Sequence, residues 1–257
     1  MILTIAGKEL KTLFTSPLAW VVLTFMQLIL GGIWLIALLA PYIQAQSQQI
    51  LMPNSPGFTE LVVAPVYATT AVVLLLAVPL LAMRLIAEER RNQTMVLLIS
   101  APLSMTEIVL GKFIGLLIFL LLVIGMITLM PLSLLLGGQL DLGLLVSLVI
   151  GITLVAASYA SVSMYASSLT TQPVIAAMIG FGLLLAMLLL GNYAADNLRE
   201  RGWQVPAALA QVLSPLVNFE PFRKGVLDSY SVSCMLLLIA TFLILTIRRL
   251  DAARLRG

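Results

Sequence analysis

Charged side chains are so sparse in this chain that the positions able to do chemistry can be taken one at a time. The densest group is Glu88-Glu89-Arg90-Arg91, followed by Asn92-Gln93-Thr94 and an apolar run, Met95-Val96-Leu97-Leu98-Ile99, that Ser100-Ala101-Pro102 closes. Carboxylates and guanidinium groups beside a short apolar run suit ion pairing and docking on another surface. They supply no nucleophile held by a general base. Glu9 stands alone between Lys8 and Leu10. A third group, Thr153, Ala157, Ser158 and Ser161, lies in a stretch of small and hydroxyl-bearing residues. Its chemistry is close backbone approach with hydrogen bonding across helices, or the lining of a passage.

Absences narrow the function further. Histidine is missing and Cys234 is the only cysteine, so neither an internal disulfide nor a zinc site of the usual ligands can form. No G-x-x-x-x-G-K-[ST] run occurs, so the chain does not hold ATP in the phosphate-loop manner. The long apolar segments contain no acidic residue. Ion-coupled carriers place such groups at mid-membrane, despite a cost of about 2.5–3.5 kcal/mol each, to relay protons or hold cations. A chain without them that drives anything uphill must take its energy from another polypeptide. The expectation is a transport subunit rather than an enzyme, with no cofactor bound directly.

The elements that position these residues follow from composition. Of 257 residues 61% are hydrophobic and 10% charged, a balance for which a bilayer, not water, is the stabilising solvent. Uncharged apolar segments cover 18–40, 61–83, 113–136, 142–168, 173–193 and 231–247. At 1.5 Å per residue, segments of about 20 residues cross a hydrocarbon core of about 30 Å. The expected fold is an all-α polytopic membrane protein: six transmembrane helices forming one domain over residues 1–257.

Residues 1–15 read as an interfacial amphipathic helix. Ile2, Ile5, Ala6, Leu10 and Leu13 share one arc with Lys8 and Lys11 opposite, and Glu9 falls on the apolar arc as the exception. Ser16-Pro17 marks the start of the first span, and Ser104 with Glu107 has capping-box spacing before the third. Residues 194–228 form a long loop with short helices around Trp203, Pro206 and Pro215. Lys8, Lys11, Arg84, Arg90, Arg91, Lys112 and the C-terminal arginines fall on one side, leaving Arg199, Arg201, Arg223 and Lys224 on the other. The excess of basic residues predicts that both termini are cytoplasmic.

Lys8-Glu9-Leu10 and Phe14-Thr15-Ser16-Pro17, then Glu88-Glu89, Thr94, Leu97-Leu98, Pro102 and Gly111-Lys112, then Asn218-Phe219-Glu220, Gly225-Val226-Leu227-Asp228 and Tyr230 occur in this order along the chain. The pattern resembles the membrane subunits of type-2 ATP-binding-cassette exporters, most of all the branch with gliding-motility and nitrous-oxide-reductase maturation permeases. Two positions depart from it: Gln93 stands where glycine is expected, and Asn218 where histidine is frequent.

The resemblance implies that residues 87–102 form a coupling helix seated in a cleft of a separate ATPase subunit, which carries the ATP and magnesium. Docking would fall to Glu89, Arg90, Thr94, Met95, Leu97 and Leu98, with Glu9 joining through a basic partner. Alternatively, 95–99 packs on the ends of the spans and Glu9 makes an inconsequential surface pair. Expected partners are ATPase subunits, a second copy or related permease and the lipid bilayer, with no nucleic acid. The expected location is a bacterial inner membrane. The expected function is export of a lipidic or amphipathic cargo. One alternative is a mechanical transducer acting on an extracytoplasmic accessory protein. The other, a self-sufficient channel or secondary carrier, is disfavoured by the missing charges.

Overall fold

A computed structural model describes residues 1–39, 62–93, 104–133, 140–194, 201 and 203–254. Among the described residues every regular element is helical: α1 (Ile2–Thr15), α2 (Pro17–Gly32, continuing in π-helical geometry over Ile33–Leu39), α3 (Ala64–Ala82), α4 (Arg84–Arg91), α5 (Met105–Leu132), α6 (Leu142–Leu169), α7 (Pro173–Leu189, with a π-helical end Leu190–Ala194), α8 (Gln204–Val212), α9 (Pro215–Arg223) and α10 (Ser229–Arg254). Six helical stretches are long and apolar enough to cross a membrane, α3 and α4 together making one of them.

Local chemistry sets where these helices begin. The Ser104 hydroxyl accepts from Glu107 N at 3.2 Å while Glu107 Oε2 accepts from Ser104 N at 3.0 Å, a complete capping box for α5. Asp141 Oδ1 accepts from Gly143 N and Leu144 N at 2.9 and 3.1 Å and starts α6. Asp228 accepts from Ser231 Oγ and from Tyr230 N and Ser231 N at the head of α10. The Ser231 hydroxyl and these amides hold its carboxyl below the usual range. Pro17 opens α2 as expected, but the Ser16 hydroxyl does not cap the helix: it accepts from Arg84 Nη1 at 3.1 Å. The last helix runs past residue 247 to Arg254. Basic residues near its C-terminus suit the helix dipole.

At the centre of the bundle lies α6, which packs against α3, α5, α7, α9 and α10. Every residue from 155 to 164 is buried, the mark of a helix surrounded by others. Its small residues permit that crowding. A Cβ on Gly151 would meet the rings of Phe219 and Phe222 at 2.7 Å. Both phenylalanines are fully buried, so α9 turns back into the bundle, and Ser147 Oγ donates to Phe222 O at 3.1 Å. Asn218 Nδ2 donates to the carbonyls of Gln211, Val212 and Ser214, closing the C-terminal end of α8. On the outer surface, apolar side chains such as Phe25 and Leu28 of α2 and Leu237 of α10 are exposed. That distribution suits a hydrocarbon surround or another apolar helix surface.

Candidate functional site

The charged run 88–91 is helical and belongs to a continuation of span two. Pro79 lies inside α3 and has no N–H to give its ladder. Met83 N reaches Pro79 O at 2.9 Å, and the helix resumes at Arg84 as α4. Ser167 of α6 is inserted at this break. Its hydroxyl accepts from Ile86 N and Ala87 N at 3.2 and 3.1 Å and donates to Met83 O at 2.9 Å. One turn on, Arg90 Nη1 donates to Ser168 O at 2.8 Å. The stem α4 is thereby fastened to the end of span four.

On its other flank α4 meets a buried lysine. Lys112 Nζ lies 2.5 Å from Glu9 Oε1 and 2.8 Å from Glu89 Oε1, with the lysine side chain 2% exposed. Three helices, α1, α4 and α5, are joined through one ammonium. Two glycines explain how α1 comes near enough. A Cβ on Gly111 would lie 2.7 Å from Ile5 Cβ, and one on Gly115 would lie 2.9 Å from Ala6 O. Small residues one turn apart let two helix backbones touch, and the touching face of α1 carries Glu9. The acidic exception on the apolar arc is thus accounted for: it faces inward because its cation does. A desolvated charge is tolerable when it is paired and hydrogen-bonded, as here.

The elbow between α1 and α2 is tied to the same stem. Besides its bond to Ser16, Arg84 places Nε 3.9 Å from Glu88. Trp20 Nε1 donates to Phe14 O at 2.7 Å, and Phe14 packs edge-on against Phe119 of α5 at 5.4 Å. The C-terminal part of α10 reaches this end as well, with Arg249 within Coulombic reach of Arg90.

The residues expected to dock divide into two sets. Glu9, Glu89 and Arg90 are brought together around α4, with their charged ends turned onto Lys112 and Ser168 of this chain. Thr94, Met95, Leu97 and Leu98 lie outside the described residues. Arg91, Asn92 and Gln93 lead toward them and are exposed. Asn92 follows the end of α4, and Gln93 has φ +57°, a left-handed conformation that favours glycine.

The small and hydroxyl residues of α6 lie apart from this cluster. Thr153 Oγ1 bonds Val149 O, Ser158 Oγ bonds Leu154 O, and Ser161 Oγ bonds Ser158 O. Ala157, Ser158 and Ser161 are buried within the protomer and Thr153 is half-buried. Sequence reasoning missed Lys112, Arg84 and Ser167 as members of the site. A legible signal existed for Lys112: it lies between Gly111 and Gly115, a small-residue pair at contact spacing, and an unexplained acid was waiting on α1.

Chemically, the cluster ties α1, α4 and α5 together through paired charges. It presents charges in fixed pairs and, among the described residues, no group of acids, histidine or cysteine able to hold a metal. No curated protein matches the chain. The family model for ABC-2 family transporter protein matches residues 3–252. With six apolar helices and a match over nearly its whole length, the chain belongs to the ABC-2 transporter family, as a multi-pass membrane permease subunit of an ATP-binding-cassette transporter.

Proposed function

We propose that this chain is the membrane subunit of an ATP-driven exporter in a bacterial inner membrane, worked by separate ATPase subunits through the segment beyond Gln93. ATP and magnesium are held by those partners. Both termini and α4 face the cytoplasm, in keeping with Lys8, Lys11, Arg84, Arg90, Arg91 and Arg249 gathering at one end. The observation that carries the reading is the pairing of Glu9 and Glu89 with Lys112, set against the Ser167 and Arg90 bonds across α4. A push arriving along 94–103 through Leu97 and Leu98 therefore moves the interfacial helix, span three and span four as one.

The functional unit pairs this chain with a second copy or a related permease, and cargo passes between the two. The hydroxyls of Thr153, Ser158 and Ser161 are turned back on their own helix, which supports a route at the seam between subunits over one through the protomer. A cargo compatible with that apolar seam is lipidic or amphipathic.

Co-expression with the cognate ATPase subunit, followed by pull-down, tests the proposal. Leu97→Asp and Leu98→Asp abolish capture of the ATPase while the chain still inserts. Transport by the purified chain without ATPase or ATP would sink the idea.

A mechanical reading draws support from α9, whose Phe219 and Phe222 lock the segment bearing α8 and α9 onto span four. In that case the ATPase moves an extracytoplasmic partner and no cargo crosses. Reconstituted vesicles in which ATP is hydrolysed but candidate lipids are not translocated would favour it.

A further inference from the structure

Beneath the elbow where α1 turns into α2 lies a cavity of about 340 Å³, bounded on its far side by α3 and α4. That volume falls within the range of about 300–1,000 Å³ found for small-molecule sites. Its lining is divided by chemistry. Leu13, Leu81 and Leu85 are buried and apolar, whereas Lys8 is exposed and Arg84 and Glu88 are half-exposed.

Depth follows from α1 and Trp20. The amphipathic α1 lies against the end of α5, and Trp20 follows directly after the lining residues at the head of span one. Its indole is 53% exposed and anchored to Phe14 O. An indole so placed marks the headgroup level of a bilayer.

The charges around the cavity balance. Lys8, Arg84 and Lys112 face Glu9, Glu88 and Glu89. Lys112 is already held by Glu9 and Glu89. Arg84 gives one Nη to Ser16, and its Nε approaches Glu88 only to 3.9 Å, so the guanidinium keeps donors for an incoming anion. Lys8 makes no ion pair among the described residues. Two cationic groups with donors to give, beside the Glu88 carboxylate, fit a ligand that carries both a phosphate and an ammonium.

We propose that this cavity binds the headgroup of a zwitterionic phospholipid with a primary amine, a phosphoethanolamine diester. Arg84 and Lys8 take the phosphate, Glu88 accepts from the ammonium, and the leucines meet the glycerol and first methylenes. A purely anionic headgroup would leave Glu88 facing a like charge. A choline headgroup has no N–H to donate to it. The lipid would bridge α1, α2 and α4. The inference is independent of ATPase coupling, since it needs only that this end of the bundle meet a leaflet surface.

Native mass spectrometry of the detergent-purified chain tests it, with phosphatidylethanolamine, phosphatidylglycerol and phosphatidylcholine of matched acyl chains titrated separately. Phosphatidylethanolamine should be retained about tenfold more strongly than the other two, a difference of about 1.4 kcal/mol. Whereas K8Q and R84Q should each weaken retention of all three lipids, the variant E88Q should remove most of that preference. T12F, which fills the cavity and leaves every charge in place, should remove it by exclusion and serves if R84Q fails to fold. Thermal unfolding checks that each variant is intact. Equal retention of the three lipids overturns the proposal, as does unchanged retention in folded T12F. Competition by inorganic phosphate or glycerophosphoethanolamine at lipid-like concentrations would assign the cavity to a soluble ligand instead. Loss of ATPase capture in T12F, with lipid retention unaltered, would give it to the protein partner.

Discussion

Replacing Lys112 by methionine keeps the length of the side chain and removes the only cation between two carboxylates. Glu9 and Glu89 each place an oxygen on Nζ, at 2.5 and 2.8 Å, so those oxygens are no more than about 5 Å apart. With an effective dielectric of about 20, two like charges at that distance repel by about 3 kcal/mol. Removing one partner from a buried ion pair is known to cost about 3–5 kcal/mol. The carboxylate side chains retain 10% and 15% exposure, which favours the lower end. We therefore expect K112M to lose about 3 kcal/mol. At about 2–4 °C per kcal/mol for a chain of this size, Tm in detergent should fall by about 6–12 °C. The cluster has one carboxylate in excess, so E9Q, which leaves the Lys112–Glu89 pair, should lose only about 1 kcal/mol. The triple variant E9Q/E89Q/K112M carries no charge there and should return to within about 1 kcal/mol of the parent. Unfolding followed by tryptophan fluorescence reads all three. If K112M melts with the parent, or if the triple variant is worse than K112M, the pairing is not what holds α1 and α4 together.

The remaining expectations concern the joints around this cluster. Q93G relieves a left-handed residue whose strain is about 1–2 kcal/mol, offset in part by the backbone entropy of glycine; Tm should rise by a few degrees, and a fall would mean that the Gln93 side chain has a role. S167A deletes the hydroxyl that serves Met83, Ile86 and Ala87 and should cost about 1–3 kcal/mol; hydrogen exchange should quicken in residues 84–91, and unchanged exchange there would refute the fastening. G151V forces a methyl-bearing Cβ into Phe219 and Phe222 at a cost of about 1–3 kcal/mol; protection should be lost in residues 215–223 and kept in residues 2–15.

Much of the fold could be read from the sequence because a membrane imposes length and neutrality on each crossing. The charge-free runs gave six spans, and Ser104 with Glu107 gave the start of the third. The cluster was harder. Glu9 showed itself as an anomaly on α1, but its partner Lys112 lies 103 positions away, and only the packing of α1 onto Gly111 and Gly115 brings them together. Four consecutive charges at 88–91 suited docking on another surface. They are helical because α3 resumes after its proline, and Glu89 and Arg90 turn inward because α4 lies between α5 and α6. The composition of α6 suited both packing and a passage. Which way a hydroxyl rotates, here back to a carbonyl of its own helix, is a consequence of burial that residue type does not encode. Gln93 shows the converse: the resemblance leads to an expectation of glycine there, and the left-handed backbone at that position favours one.

The helix that joins the two ends of the molecule is α6. Its 28 residues make a rod of about 42 Å, buried near its C-terminal end against α4 and near its N-terminal end against α9. The joints differ in kind. At one end Ser167 and the Ser168 carbonyl bond α4 and the residue before it, beside a cluster of paired charges. At the other, Gly151 and Ser147 hold α9 by ring packing and one neutral hydrogen bond. Directional bonds to charged and backbone groups fix both distance and angle, whereas ring packing fixes distance without a single preferred angle. A displacement of α4 must therefore either move α6 or break its bonds to Ser167 and Ser168. Under the proposed coupling, the rod carries that movement to α9 at its other end without any charge having to cross the apolar interior. That is the arrangement a neutral bundle needs if work done at one surface is to be felt at the other.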